Sequence, residues 1–132
     1  MRDLKAEGIM VKPVVCTRED ARAKDVALLL LSGHYTGMPV TDREEKVVGV
    51  ITEFDLLRAL TQGKNLANTV ARDVMTREAI TADVGTPVST LVSMMMENHI
   101  LRQPITREGK LVGIVARPDI LRSQLEPSLF VL

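Results

Sequence analysis

The residues of this 132-residue chain best placed to do chemistry are two aspartates. In Gly49-Val50-Ile51-Thr52-Glu53-Phe54-Asp55 the acid follows a hydroxyl by three positions. Gly113-Ile114-Val115-Ala116-Arg117-Pro118-Asp119 keeps the glycine and the acid but not the hydroxyl. An ionised carboxylate is a pure hydrogen-bond acceptor, so Asp55 and Asp119 can each take bonds from two neighbouring hydroxyl donors. The same spacing also describes a capping box, with Thr52 as N-cap and Asp55 three residues on, favourable at the positive end of a helix. At Asp119 that reading is weaker, because Ala116 cannot cap by its side chain.

Other chemistries find little support. His34 and His99 follow Gly33 and Asn98 at expected helix ends, where histidine tolerates left-handed backbone and favours the helix C-terminus. Two histidines and one cysteine do not make a four-ligand zinc pattern, so no metal is expected. Cys16 lies in an apolar stretch and is expected to be a small buried residue with a raised pKa. No phosphate-cradling loop, nucleophile elbow or dinucleotide fingerprint occurs, so the chain is not expected to be an enzyme. Seventeen basic and seventeen acidic residues cancel, and one tyrosine and two phenylalanines give no stacking platform, which disfavours nucleic acid. The longest apolar stretch, Val26 to Leu31, cannot span a bilayer, and the first residues lack an apolar signal core. A cytoplasmic protein is expected, as a lone cysteine also suggests.

The elements that position the aspartates are written twice. Ile9 to Arg58 and Val74 to Arg122 run in step at an offset of 65, then 64, matching Met10 with Met75, His34 with His99, Pro39 with Pro104, Gly49 with Gly113 and Asp55 with Asp119. The offset changes within Thr41 to Lys46 against Thr106 to Lys110, a polar stretch where a deletion alters only a surface turn. Each copy reads as strand, helix, two strands and helix, an α+β pattern. Val14-Val15-Cys16 and Ala79-Ile80-Thr81 are the expected first strands. Helices are expected over Ala23 to Ser32 and Val88 to Met96, with Thr86-Pro87 as cap and first residue of the second. Met38-Pro39-Val40 with Val47 to Ile51, and Ile105 with Leu111 to Val115, read as hairpins. They feed short helices through Phe54 to Leu60 and Pro118 to Leu125. Residues 1–61 form the first repeat, 62–69 a linker and 70–132 the second.

In these residues the chain resembles the tandem cystathionine-β-synthase (CBS) domain pair, or Bateman module. Ile9-Met10 and Val74-Met75 precede the first strands, Met38-Pro39-Val40 and Gln103-Pro104-Ile105 occupy the second, and residues 49–55 carry the Gly-x-x-Ser/Thr-x-x-Asp signature. The resemblance implies two β-α-β-β-α repeats packed about a pseudo-two-fold axis, with adenosine-binding clefts between them and pairing into a homodimer. It implies a first cleft of Val15, Cys16, Met38, Pro39, Thr52 and Asp55, and a second of Ile80, Thr81, Gln103, Pro104 and Asp119, with Arg102 toward a phosphate. Lacking the hydroxyl at Ala116, and with it a polar contact worth roughly 0.5 to 1.5 kcal/mol, the second site is expected to bind more weakly than the first. Arg117, Lys12 and Arg77 are expected to be solvated. The implied role is a regulatory sensor of AMP, ADP, ATP or S-adenosylmethionine acting on an unknown protein target. The alternatives are a ligand-independent dimerisation module, with helices Ala23 to Ser32 and Val88 to Met96 as its face, or the regulatory part of a larger enzyme or transporter. The initiating methionine and compact repeat borders point to a free-standing protein.

Overall fold

A computed structural model describes residues 1–125; the last seven residues of the 70–132 repeat lie outside the described residues. Contacts divide the chain into two compact units, Val15–Ala79 and Met1–Val14 with Ile80–Leu132. The repeat in the sequence and the unit in space are thus defined differently. The segment leading into the first repeat packs with the second, and the segment leading into the second packs with the first.

In the first unit a short strand β1 (Thr17–Arg18) precedes helix α2 (Ala23–Gly33), strands β2 (Gly37–Thr41) and β3 (Val47–Thr52), and helix α3 (Glu53–Thr61). The other unit opens with a single-turn helix α1 (Ala6–Ile9) and repeats the pattern as β4 (Ala82–Asp83), α4 (Val88–Asn98), β5 (Arg102–Arg107), β6 (Lys110–Ala116) and α5 (Arg117–Gln124). Each sheet has its short strand parallel to the next and a hairpin after it, in the order β1-β2-β3 or β4-β5-β6. The expected α+β class and β-α-β-β-α order are present in both.

Helical spacing builds the cores. Val26 and Leu30 of α2 meet Met38, Val40 and Ile51 of the sheet and Leu56 and Ala59 of α3. Val88, Leu91 and Met95 of α4 meet Ile105, Val115 and Ile120, with Ala6 of α1 sealed among them. Both long helices end as expected on left-handed histidines, His34 at φ 57° and His99 at φ 54°, each N–H bonding back to a carbonyl of the last turn. The one-residue deletion also falls where expected. Glu108 and Gly109, both at positive φ, make the tighter turn of the second hairpin, and Asp42 organises the longer first turn by accepting from the N–H groups of Glu44 and Lys46.

Three expectations need correction. The first strands are not Val14 to Cys16 and Ala79 to Thr81 but Thr17–Arg18 and Ala82–Asp83, because only these reach ladder partners at Val40 and Thr41 or at Ile105 and Thr106. Apolar character marked the approach to the sheet and not the pairing. Thr86 does not cap α4: Pro87 is the N-cap, and Asp3 supplies the missing acceptor, taking the Ser89 N–H and hydroxyl at 3.0 Å each. Cys16 is exposed and not buried, since it precedes the ladder instead of joining it.

Candidate functional site

Each signature is built where a strand turns directly into a helix. Gly49 and Gly113 are there for a packing reason. The lead-in segments pair with β3 and β6 through Val50 with Thr76 and Val11 with Ile114, and they lay Met75 and Met10 across the glycines. A Cβ at Gly49 would stand 2.6 Å from the Thr76 carbonyl oxygen, and one at Gly113 would collide with the Met10 sulfur.

Thr52 is the N-cap of α3, and the capping box is closed in both directions. The Asp55 N–H donates to Thr52 Oγ1 at 3.3 Å, and the Thr52 N–H donates to Asp55 Oδ2 at 2.9 Å. The Thr52 hydroxyl also donates to Oδ2, at 3.1 Å. The other oxygen, Oδ1, accepts from Arg58 Nη1 at 3.1 Å and from the Thr76 hydroxyl at 3.1 Å. The carboxylate is 3% exposed and has four donors, about what its lone pairs accommodate.

Asp119 repeats half of this. It accepts from the Ala116 N–H at 2.7 Å and from Arg122 Nη2 at 3.1 Å. The two hydroxyls have no counterpart: Thr52 corresponds to Ala116, and Thr76 to Val11. Among the described residues Asp119 therefore has two donors, and it is 11% exposed. Both aspartates are positioned alike, by a backbone N–H and an arginine one turn on, and they differ in how much of the carboxylate is used.

The remaining expected residues separate by repeat. In the first, Met38 and Pro39 are buried on β2, and Val15 and Cys16 are exposed in the extended approach to β1. Burial raises the Cys16 thiol pKa even so, opposed by the Arg18 charge and reinforced by Glu45. In the second, Ile80 and Thr81 are partly buried ahead of β4, Pro104 is buried on β5, and Arg102 and Arg117 are exposed. Gln103 is fully buried, its amide NH₂ meeting only the Met94 sulfur at 3.4 Å and its Oε1 having no partner among the described residues. A hollow of about 450 Å³ lies at the opposite end of the first sheet from Thr52; it is lined by three arginines and four acids, of which Arg72 and Glu19 pair at 2.8 Å, and no expected ligand residue lines it. Among the described residues no cluster of acids, histidines or cysteine could hold a metal.

The sequence reading passed over Arg58 and Arg122, although their spacing from each aspartate signals an ion pair along one helix face. It also passed over Thr76, for which no local signal exists: it is 21 residues from Asp55 and belongs to the lead-in of the other repeat.

The family described as "CBS domain" matches residues 6–62 and 71–126. An uncharacterized protein of Methanopyrus kandleri is 31% identical over 131 residues, 98% of this chain and 66% of the relative. Inosine-5′-monophosphate dehydrogenase of Methanocaldococcus jannaschii is 28% identical over 93% of this chain, which spans only 24% of that enzyme. Among solved structures, the CBS domain pair of protein MJ0100 in complex with 5′-methylthioadenosine and S-adenosyl-L-methionine is 29% identical, with a TM-score of 0.77 over 92% of this chain and 95% of that one.

Proposed function

This chain belongs to the CBS-domain family, and from that premise we propose that it is a non-catalytic sensor of adenosine-containing ligands, AMP, ADP, ATP or S-adenosylmethionine. The observation that carries the proposal is the likeness, over nine-tenths of both chains, to a pair that holds two adenosine compounds. The chemistry present here agrees with it: carboxylates stand at N3 of matched helices, Asp119 with acceptor positions open to a ribose diol, and apolar approach segments with buried Pro39 and Pro104 suit a flat base. The residues proposed for contact are Val15, Cys16, Met38, Pro39, Thr52 and Asp55 in one repeat, and Ile80, Thr81, Arg102, Gln103, Pro104 and Asp119 in the other. Occupancy acts on a protein target by favouring one arrangement of the module over another. It does so only to the extent that the ligand binds the two arrangements unequally. No helix among the described residues is long and apolar enough to cross a membrane, and the proposed setting is the cytoplasm.

A second reading, a ligand-independent dimerisation module, is favoured by two features. Asp55 is wholly occupied by its own helix cap and Thr76, and α3 presents Phe54, Leu57 and Leu60 at 76, 56 and 50% exposure. A thermal-shift titration separates the readings. A ligand held at 100 times its dissociation constant adds about 2.7 kcal/mol per site, raising the melting temperature by several degrees. A flat response of the folded protein to AMP, ADP, ATP, 5′-methylthioadenosine and S-adenosylmethionine would leave the dimerisation module as the function.

A further inference from the structure

The unit Val15–Ala79 has a second recess, remote from its signature. Three stretches meet around the hollow of about 450 Å³: the turn after β1, the tip of the β2–β3 hairpin, and the lead-in segment at Arg72. That volume suits a small molecule. Backbone bonds tie the three together, the Glu19 N–H donating to the Thr41 carbonyl at 2.9 Å and the Arg72 N–H to the Glu19 carbonyl at 2.8 Å. Thr52 pairs with Gly37 at the other end of the same sheet, so the hollow and the signature are separate places.

The charges that line the hollow are unequally used. Glu19 is paired with Arg72 at 2.8 Å, and Glu44 meets Lys46 at 3.8 Å. Asp42 Oδ1 accepts from the N–H groups of Glu44 and Lys46 within the turn. Arg18, Arg43 and Asp20 remain, and among the described residues none of these three side chains has a hydrogen-bond or ion-pair partner. Two guanidiniums and one carboxylate therefore face a common recess with their pairing capacity open.

The other repeat does not copy this set. Arg18, Asp20 and Arg43 correspond to Asp83, Gly85 and Glu108, so both cations and the acid are replaced. Arg107, which stands where Asp42 does, is paired with Glu7 at 3.3 Å, and its hairpin is one residue shorter. The open charges thus come from side chains particular to one copy and not from the fold the copies share.

An occupant that satisfies them carries two anionic groups for the guanidiniums and one cationic group for the carboxylate. A bare phosphate ester is a poor match, since it brings no cation into a hollow lined by four acids, and a simple amine is opposed by the two open arginines. Two carboxylates and one ammonium are the charged groups of an acidic α-amino acid, and the planar arginine fork matches carboxylate geometry. We propose that the hollow binds a dicarboxylic amino acid of the aspartate and glutamate class, its carboxylates on Arg18 and Arg43 and its ammonium on Asp20. The site adds a second ligand class to the module and does not rest on the adenosine reading.

Calorimetric titration of the full chain with L-glutamate and L-aspartate tests the proposal, with sodium chloride injections as the control for ionic strength. The expected result is saturable binding of at least one of the two, one per chain, weakened about tenfold or more in Arg18→Ala and in Arg43→Ala. Glutarate, which keeps both carboxylates and lacks the ammonium, should bind the unaltered protein more weakly than glutamate, and that preference should vanish in Asp20→Asn. All three positions are exposed, so circular dichroism should show the variants folded. The glutarate comparison uses unaltered protein and holds whether or not a variant folds. No saturable binding of either amino acid up to about 10 mM, undiminished binding in the folded Arg18→Ala/Arg43→Ala double variant, or equal affinities for glutarate and glutamate would each overturn the proposal.

Discussion

Asp55 and Asp119 stand at matched positions of matched helices, yet one carboxylate is held by four donors and the other by two. Backbone capping is common to both because a chain turning from strand into helix must satisfy its first N–H groups, and both carboxylates also pair with an arginine one turn later. The hydroxyls are a separate matter. They come from positions that the repeat permits to vary, one in the signature and one in the lead-in segment of the other copy. Two copies of a single fold can therefore share a scaffold and still present different chemistry.

The largest effect that separates the copies should come from the signature glycines. Gly49→Ala drives a methyl into the Thr76 backbone carbonyl, which cannot turn away, whereas Gly113→Ala meets the flexible Met10 side chain. Overpacking should cost about 3 kcal/mol at Gly49 and about 1 kcal/mol at Gly113, read by urea denaturation. Equal losses would mean that the two lead-in segments are held alike.

A smaller difference is expected at the aspartates themselves. Asp55→Ala leaves two hydroxyls, a half-buried N–H and an arginine short of their acceptor and should destabilise by about 2 kcal/mol. Asp119→Ala loses fewer partners at a more exposed position and should cost about 1 kcal/mol. The reverse order would break the proposed asymmetry at its physical root.

The smallest effect is a rate. Cys16 lies in the first repeat where the second has Thr81, so it labels one copy alone. Its raised thiol pKa means less thiolate at neutral pH than in a free cysteine, and iodoacetamide should react more slowly there. As pH rises the thiolate forms later than in a free thiol, so the rate should climb over a correspondingly higher range. Under the proposed sensor function, saturating AMP in the first repeat should slow that rate further, because Cys16 is among the residues proposed for contact there. An unchanged rate with AMP bound would exclude the first repeat as its site.

Much of the molecule was legible in one dimension. Duplication located both copies, helical spacing located the α2 and α4 cores, and Gly33-His34 and Asn98-His99 located two left-handed helix ends. These are local properties, governed by neighbours within a few residues. The first strands were misplaced because two-residue ladders carry no periodicity, and only a partner strand decides which residues pair. Cys16 was misjudged for the same reason, its burial depending on joining the ladder and not on its apolar neighbours.

The amino-acid sequence by itself determined the duplicated α+β pattern, the capping chemistry at Thr52 and Asp55 and the loss of one hydroxyl at Ala116. Only the tertiary structure decided that Thr76 bonds to Asp55, that Asp3 caps α4, and that Asp119 is left with fewer donors. The first two contacts join residues 21 and 86 positions apart, through the segments that lead into each repeat, and Asp119 lacks any such partner among the described residues. Hydrogen bonds of that kind depend on where the backbone brings two groups together, which spacing along the chain does not encode.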